Sequence, residues 1–206
     1  VIFLIGDGSF CKISKWGRFL FQKGTVPISK KTIDIFITML YSIKNQMEDE
    51  NMKRTKLDER VLPTYTKGEE IFNMTSHIVG GALGIVALVL CVIFAAIHHN
   101  PYGVVASSIF GVTMILLYTM SSIYHGLKPD TKAKKVFQVL DHCSIFLLIA
   151  GSYTPFALCS IRSVEPASGW FIFGIIWGLA ILGIVLNSID IKKYKIFSMI
   201  CYLVMG

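Results

Sequence analysis

The chain has 206 residues, of which 53% are hydrophobic and 16% charged, with a mean hydropathy of +0.61 and a formal net charge of +7. A soluble domain carries about 25% charged residues, so this composition excludes an ordinary water-soluble globule. The basic residues lie between apolar stretches rather than along one stripe, which argues against a nucleic-acid partner and for orientation in a lipid bilayer.

Residues 1–51 differ from the rest. VIFLIG (1–6) and TIDIFITMLYSI (32–43) are short apolar runs, each below the ~18 residues that mark a spanning helix. No start Met, charged region and cleavage site follow one another in the order of a signal peptide. Met47-Glu48-Asp49 back-translates to ATGGAGGAT, which holds a bacterial ribosome-binding sequence just before Met52. The alternative is a genuine soluble extension. The expectation is a non-homologous or untranslated leader over 1–51 and a transmembrane domain over 52–206. The chain opens on Val1, and its last apolar segment stops at Gly206 without a polar flank, so it is expected to be cut at both ends.

From Met52 the order is regular. Residues 52–75 are polar and basic. Ser76–His98 is the first expected span and Tyr102–Tyr124 the second; neither holds Asp, Glu, Lys or Arg. Leu140–Ile161 is the third, with Asp141 near its start and a kink expected at Thr154-Pro155. Gly169–Ile189 is the fourth, and a partial fifth begins at Ile196. The fold class is therefore all-α, a polytopic transmembrane helix bundle. The cysteines (Cys11, Cys91, Cys143, Cys159, Cys201) contain no CxxC pair, so they read as small packing residues rather than a disulfide or thiolate–zinc framework.

The Lys and Arg between the spans alternate in number. Before the first span stand Lys53, Arg54, Lys56, Arg60 and Lys67, and the first loop has none. The second has Lys128, Lys132, Lys134 and Lys135, the third Arg162, and the fourth Lys192, Lys193 and Lys195. This alternation predicts a cytoplasmic N-terminus.

Polar residues gather at the same end. Glu70, Asn73 and His77 share one face of the first helix, Ser121 and His125 one face of the second. Asp141 begins the third, with Ser144 one turn on. Imidazole and carboxylate are zinc ligands, and zinc brings the pKa of its water toward ~7, so one reading is a metal or proton site. The other is a set of helix-end residues at headgroup level, with Asp141 as an N-cap or first-turn acid. His142 points about 100° away from Asp141 and is not expected to be a ligand. His98 and His99 lie at the opposite membrane face.

Glu70-Ile-Phe-Asn73-Met-Thr-Ser-His77, Ser121-Ser-Ile-Tyr-His125-Gly, Leu140-Asp141-His142 and Gly151-Ser-Tyr-Thr-Pro155-Phe, in this order, resemble the haemolysin III family, part of the wider group of progestin and adipoQ receptors. The resemblance covers Met52–Gly206. It implies a seven-helix fold in a bacterial plasma membrane, here with four complete spans and part of a fifth. It also implies a zinc ion near the cytoplasmic face, held by His125, Asp141 and two His of an H-x3-H helix that this sequence lacks, with Ser121 beside the metal. Glu70 and Asn73 are further motif residues. Two ligands fall short of the three that a catalytic zinc uses, so weak or no zinc binding is expected of this chain, in which His77 alone could complete the set.

Three functions follow from the resemblance. The family name implies a cytolytic, pore-forming protein, although no span carries the full-length polar stripe that a water-filled pore needs. The second is a zinc-dependent intramembrane hydrolase of a lipid amide, with Ser121 and His77 as catalytic residues. The third is a non-catalytic receptor or sensor in which the metal is a staple.

Overall fold

The structure, a computed structural model, describes residues 38, 41, 56–191 and 193–205. The expected leader, 1–51, lies outside the described residues apart from Thr38 and Tyr41, as does Cys11. The described residues form helices and connecting turns, with no strand among them.

A single 3-10 turn, Leu57–Glu59, precedes five helices: α1 (Lys67–Ile97), α2 (Pro101–Gly126), α3 (Lys132–Pro155), α4 (Pro166–Ile189) and α5 (Lys195–Met205). Beyond Pro155, α3 runs on through a π-helical stretch, Phe156–Ile161, and a last turn, Arg162–Val164. Four helical spans are long and apolar enough to cross a membrane: Lys67–Ile97, Pro101–Gly126, Lys132–Val164 and Pro166–Ile189. They cover the four spans expected from hydropathy, except that His98, the last residue of the first, caps α1 instead of belonging to it, and α5 occupies the place of the partial fifth.

The helix starts are chemically marked. Thr66 and Glu69 form a reciprocal capping box, with Glu69 N–H donating to Thr66 Oγ1 at 3.3 Å and Thr66 N–H to Glu69 Oε2 at 2.7 Å. Asn100 Oδ1 accepts from Gly103 N–H at 2.9 Å, with Pro101 in the first turn. Thr131 caps α3 by accepting from Lys134 N–H at 3.2 Å. These caps set α1 and α3 several residues before the first apolar residue of each expected span. A 31-residue helix rises about 46 Å, well beyond a ~30 Å hydrocarbon core, so the first turns of α1 project into the headgroup region.

The short turns make consecutive helices antiparallel. α1 packs on α2, α2 on α3, and α3 on α4; α5 lies against α3 and α4. Among the described helices α1 packs its backbone closely on α2 and reaches α3 through the Glu70–Lys134 ion pair. Glycines set the close approaches, as in other membrane bundles. A Cβ at Gly80 would stand 2.7 Å from the Tyr118 ring, and one at Gly111 would meet Leu88 at 2.5–2.9 Å. Gly151 faces Thr113, and Gly183 faces the Phe146 ring. The core is Phe146, Ala150, Ala180, Leu186, Tyr194, Phe197, Cys201 and Met205, between α3, α4 and α5. A polar chain threads it: Ser198 Oγ donates to Asn187 Oδ1 at 2.6 Å, Asn187 Nδ2 to Tyr202 OH at 3.4 Å, and Tyr202 OH to the His142 carbonyl at 3.1 Å. Large apolar side chains along α1, including Leu83, Val86, Leu90 and Phe94, are exposed and form a surface suited to lipid.

Two expectations change in detail. At Thr154-Pro155, where a kink is expected, the third span passes into the π-helical stretch, a local break in the α-helical hydrogen-bond ladder; Thr154 Oγ1 also donates to the Ala150 carbonyl at 2.8 Å and accepts from Trp177 Nε1 at 3.1 Å. Asp141 is the tenth residue of α3 rather than an N-cap or first-turn acid. The role of dipole-stabilising end residue therefore does not apply to it.

Candidate functional site

The site lies where the start of α1, the end of α2 and the start of α3 meet. Glu70 stands in the first turn of α1, where a carboxylate is favoured by the helix dipole. His125 is the penultimate residue of α2, and a basic group suits that end. His125 Nδ1 and Glu70 Oε2 are 2.6 Å apart, across 55 residues of sequence. The other oxygen, Oε1, accepts from Lys134 Nζ at 2.6 Å. Lys134 Nζ also donates to the Leu127 carbonyl at 3.1 Å and stands 5.2 Å from the centre of the Tyr124 ring.

Aromatic rings enclose the imidazole. Tyr124 and Tyr65 meet it edge-on at centroid distances of 4.8 and 5.6 Å, and the His77 ring lies at 6.0 Å. Tyr65 belongs to the segment before α1, so that segment folds over the polar end of the bundle. His77 also packs 5.8 Å from Tyr118, and its Nδ1 is buried without a hydrogen-bond partner. Buried ring nitrogens are ordinarily paired, so this atom is a candidate for contact with a ligand or a proton.

Ser121 is buried one turn before His125. Asp141 lies within electrostatic range of His77 and Tyr124. Its backbone carbonyl accepts from the buried Ser144 Oγ at 2.6 Å. Asn73 is half-buried on α1, one turn beyond Glu70. His142 pairs locally, its Nδ1–H donating to the Gln138 carbonyl at 2.9 Å. His98 hydrogen-bonds the Phe94 carbonyl through Nδ1 at 2.8 Å, at the far end of α1. Thus His77, His125, Glu70 and Asp141 are brought to one end, while His98 and His99 stay apart from them.

Lys134 is the residue that sequence reasoning missed. It was counted as a loop cation, yet it sits in the first turn of α3 with 2% of its surface exposed. The available signal was Glu70, a carboxylate at the head of an apolar helix, which needs a cationic partner when partly desolvated. No spacing rule links residues 64 positions apart, so the partner could not be chosen from the sequence.

The donor chemistry fits part of a zinc site. His125 has a carboxylate behind its Nδ1, the arrangement that orients metal-binding imidazoles. His77 offers an unpartnered ring nitrogen and Asp141 an oxygen ligand type. However, no group of three His, Cys, Asp or Glu among the described residues is arranged to hold a metal.

Comparison with known proteins agrees with the residues. A family model described as Haemolysin-III related matches residues 65–206. Hemolysin-3 of Bacillus cereus is 41% identical over 138 residues, covering 67% of this chain and 61% of that protein. A Hemolysin-3 homolog of Bacillus subtilis (strain 168) is 39% identical over 142 residues, covering 69% and 65%. The chain thus spans less than two thirds of the length of these relatives. No solved structure matches it significantly. With four membrane-length helices and a family match over most of its length, the chain belongs to the haemolysin-III related family of multi-pass membrane proteins.

Proposed function

We propose that this protein is a zinc-dependent hydrolase of a lipid amide, embedded in a bacterial plasma membrane with its N-terminus and its site on the cytoplasmic side. One observation carries the reading. Glu70, His77, His125, Lys134 and Asp141, from three different spans, converge at a single end, where Glu70 is in direct contact with both His125 and Lys134. The lengths of α1 and α2 beyond that end hold no Asp, Glu, Lys or Arg. Intramembrane ionisable residues are expensive and mark function by default, and their confinement to one end suits a reaction centre at the lipid surface.

In this reading His125 and Asp141 would hold the zinc, and the remaining donors would come from the part of the relatives' length that this chain does not span. When bound, zinc would supply Lewis-acid activation of water near neutral pH. Glu70 orients His125. His77, with its unpartnered Nδ1, accepts a proton from the attacking water and returns one to the departing amine. Ser121, on the His125 face, provides a short hydroxyl to fix the amide oxygen. The exposed apolar faces of α1 and α2 let a lipid approach laterally.

The second reading, cytolysis by pore formation, is favoured by the name of the Bacillus cereus relative. Liposomes containing a family-length protein separate the two. Fatty-acid release from a lipid amide, abolished by His77→Ala, supports the hydrolase. Dye leakage without fatty-acid release refutes it in favour of lysis.

A further inference from the structure

Lys134 is an uncommon residue for its position. A cation in the first turn of a helix opposes the helix dipole, and a lysine buried to 2% exposure loses nearly all its water. Both costs are offset at one place, the Glu70 carboxylate, at 2.6 Å. The Thr131 cap fixes the Lys134 backbone, and the Leu127 carbonyl takes a second proton of the ammonium.

Glu70 therefore faces two partners with two oxygens. Oε1 accepts from Lys134, and Oε2 stands 2.6 Å from His125 Nδ1. Distances this short belong to charge-assisted bonds, and a carboxylate that already accepts from an ammonium is an anion. The nitrogen facing it must then be the donor. The two tautomers of His125 are not equivalent in this setting: Nδ1 carries the proton, and Nε2 keeps its lone pair. Tyr124 and Tyr65, edge-on to the ring, oppose its rotation.

We propose that Lys134 is a positioning residue: by holding Glu70 anionic and fixed, it commits His125 to the Nδ1–H tautomer and directs the Nε2 lone pair at the site's ligand. The proposal rests on the reading of His125 as a ligand-binding residue, but the tautomer itself is a property of the metal-free protein and can be measured there.

The experiment is nitrogen NMR of the full chain, 15N-labelled at histidine, metal-free in detergent at pH 8, with His125 assigned by difference against His125→Gln. The expected wild-type spectrum shows one protonated and one unprotonated ring nitrogen, with Nδ1 protonated. In Lys134→Met the two nitrogens move toward a common averaged position. Lys134→Arg, which still donates to Glu70, keeps the wild-type pattern. Because Lys134→Met leaves the half-buried Glu70 carboxylate without its ammonium partner, Glu70→Gln/Lys134→Met removes both charges and tests the same point; it too shows averaging. An Nε2–H tautomer or a doubly protonated ring in the wild type overturns the proposal. So does an unchanged spectrum in Lys134→Met or in the double variant, or equal averaging in the Arg and Met variants. In a family-length protein Lys134→Met should also lower zinc affinity about 10–100-fold, the usual effect of losing an outer-shell partner. A complete lack of zinc binding there would refute the proposed function and leave the tautomer result standing.

Discussion

Gly111→Ala adds one methyl group at the seam between α1 and α2. Its Cβ would lie 2.5 Å from Leu88 Cδ1, 2.7 Å from Leu88 Cβ and 2.9 Å from Leu88 Cγ. Favourable carbon–carbon separations are about 3.5–4.0 Å, so the helices must part by roughly 1 Å. The Leu88 methyl could swing aside, but its Cβ is fixed to the α1 backbone, so a rotamer change cannot relieve the clash. Overpacking of this kind costs about 1–3 kcal/mol. Because α2 is the helix on which α1 packs along its length, the strain is relieved by moving α1 outward, which also draws Glu70 from His125 and Lys134. Gly178→Ala is the matched control, since nothing lies within 4 Å of its added Cβ. There the better helix propensity of alanine should give a gain of up to about 1 kcal/mol. That gain is common to both variants, so equilibrium unfolding in mixed detergent micelles would separate them by the overpacking cost, about 1–3 kcal/mol, Gly111→Ala being the less stable. A Gly111→Ala protein within about 0.5 kcal/mol of Gly178→Ala, the range of an unremarkable surface change, would refute the close approach of α1 and α2 at this level.

Three further outcomes are expected. In a background without native cysteines, a membrane-impermeant thiol reagent applied to intact cells should label Glu165→Cys and spare Lys128→Cys; the reverse pattern would invert the topology. In a family-length protein His125→Ala or Asp141→Ala should strip bound zinc, measured by metal analysis after purification, whereas His142→Ala, whose ring is tied to the Gln138 carbonyl, should retain it. Asn187→Leu removes the hub between Ser198 and Tyr202 and should cost about 1 kcal/mol, since interhelical hydrogen bonds in membranes average ~0.6 and reach ~1.7; a loss beyond 3 kcal/mol by chemical unfolding would show that this estimate misses most of what the hub holds together.

The spans were legible because a run of about 20 uncharged residues has few alternatives to crossing a bilayer. Their ends were not. Hydropathy locates the hydrocarbon, whereas a helix ends where its backbone groups find other partners. The caps at Thr66 and Thr131 place α1 and α3 starts nine and eight residues before the expected Ser76 and Leu140. That shift changes the chemistry read from the charges. Lys134, placed in a loop by hydropathy, becomes a helix residue that faces Glu70. The i, i+7 spacing put Glu70 and His77 on one face of α1, and both stand beside His125, because periodicity holds within one helix. The pairing of Glu70 with His125 and Lys134 depends on how three helices dock, and no local pattern encodes it. The cysteine reading was sound for Cys143 and Cys201, which are buried packing residues without a disulfide, while Cys91 is exposed on the apolar length of α1.

The packing of α1 on α2, with a single ionic link to α3, has a bearing on how the protein is made. Glu70 and His125 both belong to the first hairpin, whereas Lys134 opens the third span. A chain synthesised from its N-terminus therefore presents the carboxylate and the imidazole to the membrane surface before their ammonium partner has emerged. Placement of Glu70 in the first turn of a helix longer than the hydrocarbon is thick keeps it within reach of water during that interval. Arrival of α3 then completes the ionic cluster and ties the hairpin to the growing bundle at its polar end. Assembly of the site and retention of the first hairpin become a single event in biogenesis.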